Sequence, residues 1–222
     1  QETAGTAHAE FEAAVLLAER LGVKTVITFS GCPGDCETSK YPNWAVATWP
    51  EDYEKIRRWQ WEEKLIPYWK RAGAFAKAHH VRVALEIHPG FCVYNVPTML
   101  RLREAVGDAV GANLDPSHLF WQGVDPVAAV HALRGCIYHF HATSGFADTA
   151  ARPWLFRTVG YGHGAQTWRA IFSALQQAGY DGVISIEHED ALMSQKEGLE
   201  KAIRVLRDTM IFDAPTADVY WA

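Results

Sequence analysis

The sequence has no apolar run approaching the roughly 20 residues of a membrane span, and Gln1 to Glu10 lack the basic start and hydrophobic middle of a signal peptide. Both absences point to a cytoplasmic protein. An excess of basic residues is missing too: 21 Lys and Arg stand against 26 Asp and Glu, and the formal charge of −5 disfavours a phosphate backbone as ligand. Cysteine is sparse. Cys32, Cys36, Cys92 and Cys136 form neither a CxxC pair nor a small secreted framework, so reduced thiols are expected. No Gly-rich phosphate fingerprint follows the first apolar strand, which removes local support for a dinucleotide fold.

What is present suffices for a substantial core: 49% of the 222 residues are hydrophobic and only 21% charged, which excludes disorder and suggests a single domain over 1–222. Six apolar segments read as buried strands, at 24–29, 81–87, 111–114, 136–140, 155–159 and 183–186. Helical patterns separate them. Glu10 to Leu21 is stopped by Gly22, and a long helix opened by Pro50-Glu51-Asp52 reaches about His79, with Pro67 and Gly73 as candidate kinks. Pro97 to Val106, the Asp125-Pro126 helix ending near Leu133, Thr167 to Ala178 and Glu197 to Met210 complete the series. Strands alternating with helices imply right-handed crossovers and a parallel sheet. The fold class expected is α/β, of the (β/α)8 TIM-barrel type. Eight strands and roughly 250 residues are usual there, so the first two strand-helix units would be lacking and the domain N-terminally incomplete.

Four segments end in residues able to bind a divalent cation: Glu86 and His88, Asp115, His141, and Glu187. An apolar run that switches abruptly to Glu, Asp or His is the pattern of a parallel strand whose C-terminal tip carries chemistry. Glu86, Asp115, His141 and Glu187 are separated by 29, 26 and 46 residues. One strand-helix unit takes roughly 30 residues, so the last gap is a double step, filled by a strand near Phe156. Three carboxylates and one imidazole suit a hard octahedral ion, Mn²⁺ first, with Mg²⁺, Co²⁺ or Zn²⁺ as alternatives. Such an ion would leave positions open for substrate oxygens and ease proton removal from a carbon beside a carbonyl, with carboxylate bases on either face.

Further histidines, His88, His118, His139, His163 and His188, stand near the tips, although a single imidazole there is ordinarily solvated or satisfied in a core. His118, three residues past Asp115, is placed to orient a bound water or to take a second metal. Trp44, Trp49, Trp121 and Trp154 fall in predicted loops, where an aromatic face can wall a sugar or simply pack. His88, His118, His163 and Trp121 are the candidate substrate-binding residues.

Glu86-Ile87-His88-Pro89-Gly90, Asn113-Leu114-Asp115-Pro116-Ser117-His118-Leu119, His139-Phe140-His141-Ala142 and Ser185-Ile186-Glu187-His188-Glu189 together resemble the xylose-isomerase-like sugar phosphate isomerase/epimerase superfamily of (β/α) barrels. The resemblance runs from about Glu10 to Leu206. It implies a divalent metal on Glu86, Asp115, His141 and Glu187, with Glu86 and Glu187 as the catalytic acid/base pair. The activity implied is a metal-dependent isomerase or epimerase that passes a proton through an enediolate of a keto-sugar or polyol. The chain departs from the family in its start and in Thr143 and Ser144, which stand where the family commonly has Lys-Asp.

Other readings remain open. A lyase or dehydratase could use the same scaffold, since fold does not fix reaction, and so could a non-enzymatic binding module. An endonuclease IV-like phosphodiesterase shares the Asp115-Pro116-Ser117-His118 motif, but it calls for a basic groove and an Asp-x-His pair where Gly162-His163 stands. The partner expected is a small sugar or polyol, with neither nucleic acid nor membrane; a homo-oligomer is admitted.

Overall fold

Along each strand the residues alternate between two environments, and the fold spends one face on packing and the other on polar groups. The computed structural model describes residues 2–147 and 154–214. Helix α1 (Glu2–Leu21) leads to β1 (Thr25–Phe29), and after a long loop α2 (Glu51–Trp59), a π-helical stretch (Gln60–Leu65) and α3 (Ile66–Ala78) run on in succession. Then follow β2 (Arg82–Glu86), α4 (Val96–Val106), β3 (Val110–Leu114), α5 (Ser117–Phe120), α6 (Pro126–Ala132) and β4 (Ile137–Ala142). The chain continues through β5 (Ser144–Ala147), β6 (Trp154–Arg157), α7 (Ala165–Gln177), β7 (Ile184–Ile186) and α8 (Gln195–Thr209).

Five strands form one parallel sheet in the order β1-β2-β3-β4-β7. In register, Phe29 lies opposite Glu86, Glu86 opposite Asn113, Asn113 opposite His139, and His141 opposite Ser185. All C-terminal tips therefore meet at one end. β4 touches β1 and β2 as well as its neighbours, so the sheet curls toward a barrel wall. Val83, Leu85, Ala112, Leu114 and Phe140 point into the helix-covered core, where Trp69 and Trp168 are also fully buried. Full burial of side chains this large contributes roughly 1.5–3 kcal/mol or more apiece.

The strand expected at 155–159 is a correction. A strand does form at Trp154–Arg157, but it pairs antiparallel with β5, Phe156 opposite Gly145, and does not enter the parallel sheet. β4 pairs directly with β7 instead. The double step thus encloses a hairpin above the strand tips; 148–153 of its connection lie outside the described residues.

Local chemistry explains the helix ends. Asn95 and Thr98 form a reciprocal capping box at the start of α4, and Asp125 accepts from Val127 N at 2.9 Å to open α6. Pro67 supplies no N–H, and the resulting irregularity is absorbed by the π-helical stretch just before it. Gly73 sits in regular helix, where a Cβ would lie 3.3 Å from Val110 Cγ2.

Candidate metal centre at the strand tips

The inward face of the sheet carries the polar positions two apart: Asn113 and Asp115 on or beyond β3, His139 and His141 on β4, Ser185 and Glu187 on or beyond β7, with Glu86 ending β2. This period brings one donor atom each from Glu86, Asp115, His141 and Glu187 within 4.8 Å of one another. His141 Nδ1 lies 3.2 Å from Glu187 Oε2 and 3.5 Å from Glu86 Oε2. Asp115 is buried; its Oδ1 accepts from Ser117 N at 2.8 Å, whereas Oδ2 is buried with no hydrogen-bond partner.

Charge crowding shows in the titration of these groups. Burial pushes the Asp115 carboxyl up to about 7, against the opposing pull of His118 and the Ser117 hydrogen bond. Burial alone would lower His141, yet Glu187 and Glu86 hold it above its ordinary value. Glu187 is drawn below the usual carboxylate range, chiefly by His141, although burial opposes this.

A divalent ion fits this set. Metal–oxygen bonds of about 2.0–2.6 Å place ligands on one ion at most roughly 5 Å apart, and Asp115 Oδ2, buried without a hydrogen bond and with His118 Nε2 no nearer than 3.9 Å, would be satisfied by a cation. Glu86, Asp115, His141 and Glu187 would hold it.

The remaining sequence candidates divide. His118 joins the cluster, donating from Nε2 to Glu86 Oε1 at 3.0 Å, and its ring meets His88 at a centroid distance of 4.1 Å. His163 instead stacks on Phe120 and touches Ser144, reaching none of the four donors among its described contacts. Trp121 is half-buried at the end of α5. Thr143 Oγ1 is buried without a partner, and Ser144 begins the hairpin.

Two neighbours were not singled out by sequence. Asn113 Nδ2 donates to Glu86 Oε2 at 3.3 Å and lies 3.2 Å from His141 Nδ1; its place two residues before Asp115 on one strand face was the available signal. Asp190 accepts from Thr158 N, Leu192 N and Arg157 Nε at 2.9, 2.9 and 3.1 Å, fastening the hairpin beside Glu187. Phe156, on that hairpin, meets the His118 ring edge-on at 5.7 Å.

Comparison with known proteins agrees with this architecture. The family model described as xylose isomerase-like TIM barrel matches residues 1–209. The uncharacterized protein YfiH of Bacillus subtilis (strain 168) is 40% identical, over 87% of this chain and 68% of its own length. An inosose isomerase of Halalkalibacterium halodurans is 29% identical, over 87% of this chain and 69% of its own. A crystal structure of IolI protein with a bound zinc atom shares the fold at a TM-score of 0.61 and 21% identity, covering 94% of this chain and 70% of that one. The chain belongs to the xylose isomerase-like TIM barrel family.

Proposed function

We propose that this xylose isomerase-like TIM barrel chain is a divalent-metal-dependent isomerase or epimerase of a keto-sugar or polyol. The observation that carries the reading is the convergence of Glu86, Asp115, His141 and Glu187 within 4.8 Å around a buried carboxylate oxygen that has no hydrogen bond. Similarity to an inosose isomerase supports a cyclic polyol ketone or a sugar as substrate class. Mn²⁺ is the ion best matched to three carboxylates and one imidazole, while zinc, bound in the similar IolI fold, is the alternative. When bound, the metal polarises a carbonyl and holds the adjacent hydroxyl, acidifying the carbon between them.

The chain's own groups divide the proton work. Glu187, whose side chain is 37% exposed, stands where an entering substrate reaches it, and His141 holds its carboxyl below the usual range, favouring the carboxylate form that a base needs. Glu86 is buried and oriented by hydrogen bonds from His118 and Asn113, which suits it to act on the opposite face of the reacting carbon. His118 and His88 crowd the same side and are placed to position substrate hydroxyls. Phe29 and Phe91, stacked at 4.4 Å beside His88, offer an apolar flank.

The test is turnover of a sugar and polyol panel with Mn²⁺ in deuterated water. Deuterium should enter the carbon next to the carbonyl without loss of water; a dehydrated product would move the assignment to a lyase. Glu187→Gln should lower turnover by about 10²–10⁴-fold, the usual worth of a general base, while melting stays near wild type. Activity within a few-fold of wild type would remove Glu187 from the mechanism.

A further inference from the structure

We propose that Cys32 and Cys92 are a thiol pair that a peroxide oxidises to a disulfide, clipping the loop after β1 to the loop after β2. Neither thiol belongs to the metal-binding groups described above, and the pair stands whether or not those bind an ion.

The backbone brings the two residues together. Cys92 N donates to Gly31 O at 3.0 Å, and Val93 N donates to Ser30 Oγ at 2.9 Å. Standard bond lengths then keep the Cα atoms of Cys32 and Cys92 within roughly 7 Å of each other, against the span of about 4.4–6.8 Å that a disulfide takes. The side chains turn toward one another, with the Cys92 thiol hydrogen-bonded to Cys32. Both loops are held in place beside them. Trp69 Nε1 donates to Ser30 O at 2.9 Å, and the rings of Phe29 and Phe91 stack at 4.4 Å. Phe91 also meets His88 edge-on, so the clip would tie down the loop that carries both.

The pair has an attacking and a resolving member. Hydrogen bonding to Cys92 holds the Cys32 thiol below its ordinary range although burial opposes this, and the same contact together with burial pushes Cys92 up. Cys32, half-buried where Cys92 is buried, therefore supplies the thiolate. Cys92 in turn lines a cavity of about 330 Å³ with Trp44, Tyr94 and Arg101, ample for a peroxide when a water takes about 30 Å³. The Cys32 sulfur attacks one peroxide oxygen, the O–O bond breaks, and a sulfenic acid forms as hydroxide leaves and takes up the proton that Cys32 gave up. The Cys92 sulfur then attacks the Cys32 sulfur. An S–S bond forms as the S–O bond breaks, and the Cys92 proton leaves with the hydroxyl as water. Two electrons have passed from the thiols to the peroxide, which ends as two waters.

The other cysteines are differently placed. Cys36 is exposed, with its sulfur 3.4 Å from Thr38 Oγ1, and Cys136 is buried just before β4, at the end of the sheet away from the tips.

The reduced chain, stripped of metal with chelator, is treated with hydrogen peroxide, digested with trypsin without reductant and mapped by mass spectrometry. Peptide 25–40 should be joined to peptide 83–101 with the loss of two hydrogens, and dithiothreitol should release them. Cys36→Ser should keep the link and Cys32→Ser should abolish it, which separates the two cysteines of peptide 25–40. The linked chain should melt about 4–16 °C above the reduced one, the usual effect of a disulfide in a chain of this size. Oxygen addition without a link, a Cys32–Cys36 link within peptide 25–40, or a linked chain that melts below the reduced one overturns the proposal.

Discussion

On the proposed function, Asp115 would couple metal binding to protons in a way that can be measured before any substrate is known. Its carboxyl is raised from 3.8 to about 7 by burial, a shift of about three pH units, or roughly 4 kcal/mol at 1.36 kcal/mol per unit. A folded-state pKa above the unfolded one means that the metal-free fold has this stability in full below about pH 3.8 and loses it as pH rises through about 7. The metal needs the ionised carboxylate, so binding must displace that proton below pH 7. Affinity for Mn²⁺ should fall about tenfold per pH unit there, or about 100-fold from pH 7 to pH 5, and flatten above. His141, also held above its ordinary value, steepens the slope further. Asp115→Asn keeps the shape but removes the charge. Burying the new amide costs about 1–3 kcal/mol, so at pH 8 the metal-free variant should be more stable than wild type by roughly 1–3 kcal/mol. At about 2–4 °C per kcal/mol for a chain of this size, its melting temperature should rise by about 2–12 °C. Mn²⁺ at about 1,000-fold excess over Kd should reverse the ranking, because it adds about 4.1 kcal/mol to a competent site. Calorimetric titration across pH 5–8 and thermal melts of both proteins decide it. A flat affinity from pH 6 to 8, or a variant that melts below metal-free wild type, would refute the reasoning.

Two stability predictions concern the frame around the site. Asp190 is held down to about 2; burial would raise it, but the Thr158 and Leu192 N–H groups and Arg157 outweigh that. Its contribution is therefore present above about pH 3.8 and lost as pH falls through about 2. Asp190→Asn should cost about 1.5–3 kcal/mol by urea denaturation at pH 7; a loss under about 0.5 kcal/mol would mean that the hairpin is held by other contacts. Gly111→Ala would set a Cβ 2.5 Å from both Cys136 O and the Tyr138 ring, which Arg103 and Asp108 fix through its hydroxyl. Overpacking of about 1–3 kcal/mol should appear as a lower urea midpoint, and an unchanged midpoint would show that β4 can give way there.

The four candidate metal-binding positions were legible because apolar strands that end in Glu, Asp or His leave a local trace, and a parallel sheet collects such tips at one end. The candidate ligands Glu86, Asp115, His141 and Glu187 come together as the spacing suggested. The 46-residue gap before Glu187 misled in one respect. Leu155 to Val159 has the apolar look of a barrel strand, but nothing in a short run states which neighbour it pairs with or in which direction. Pairing with β5, beside His118 and Asp190, was settled by the long-range contacts of Arg157 and Phe156.

The sequence by itself determined the alternation of strands and helices and the chemistry at each strand tip, because periodicity and residue type are local properties. Only the tertiary structure decided that Asn113 braces Glu86, that Asp115 is buried enough to rise to about 7, and that the two oxygens of Glu86 face different histidines. Those facts depend on distances between residues far apart in the chain, and on how much water the fold leaves around each charge.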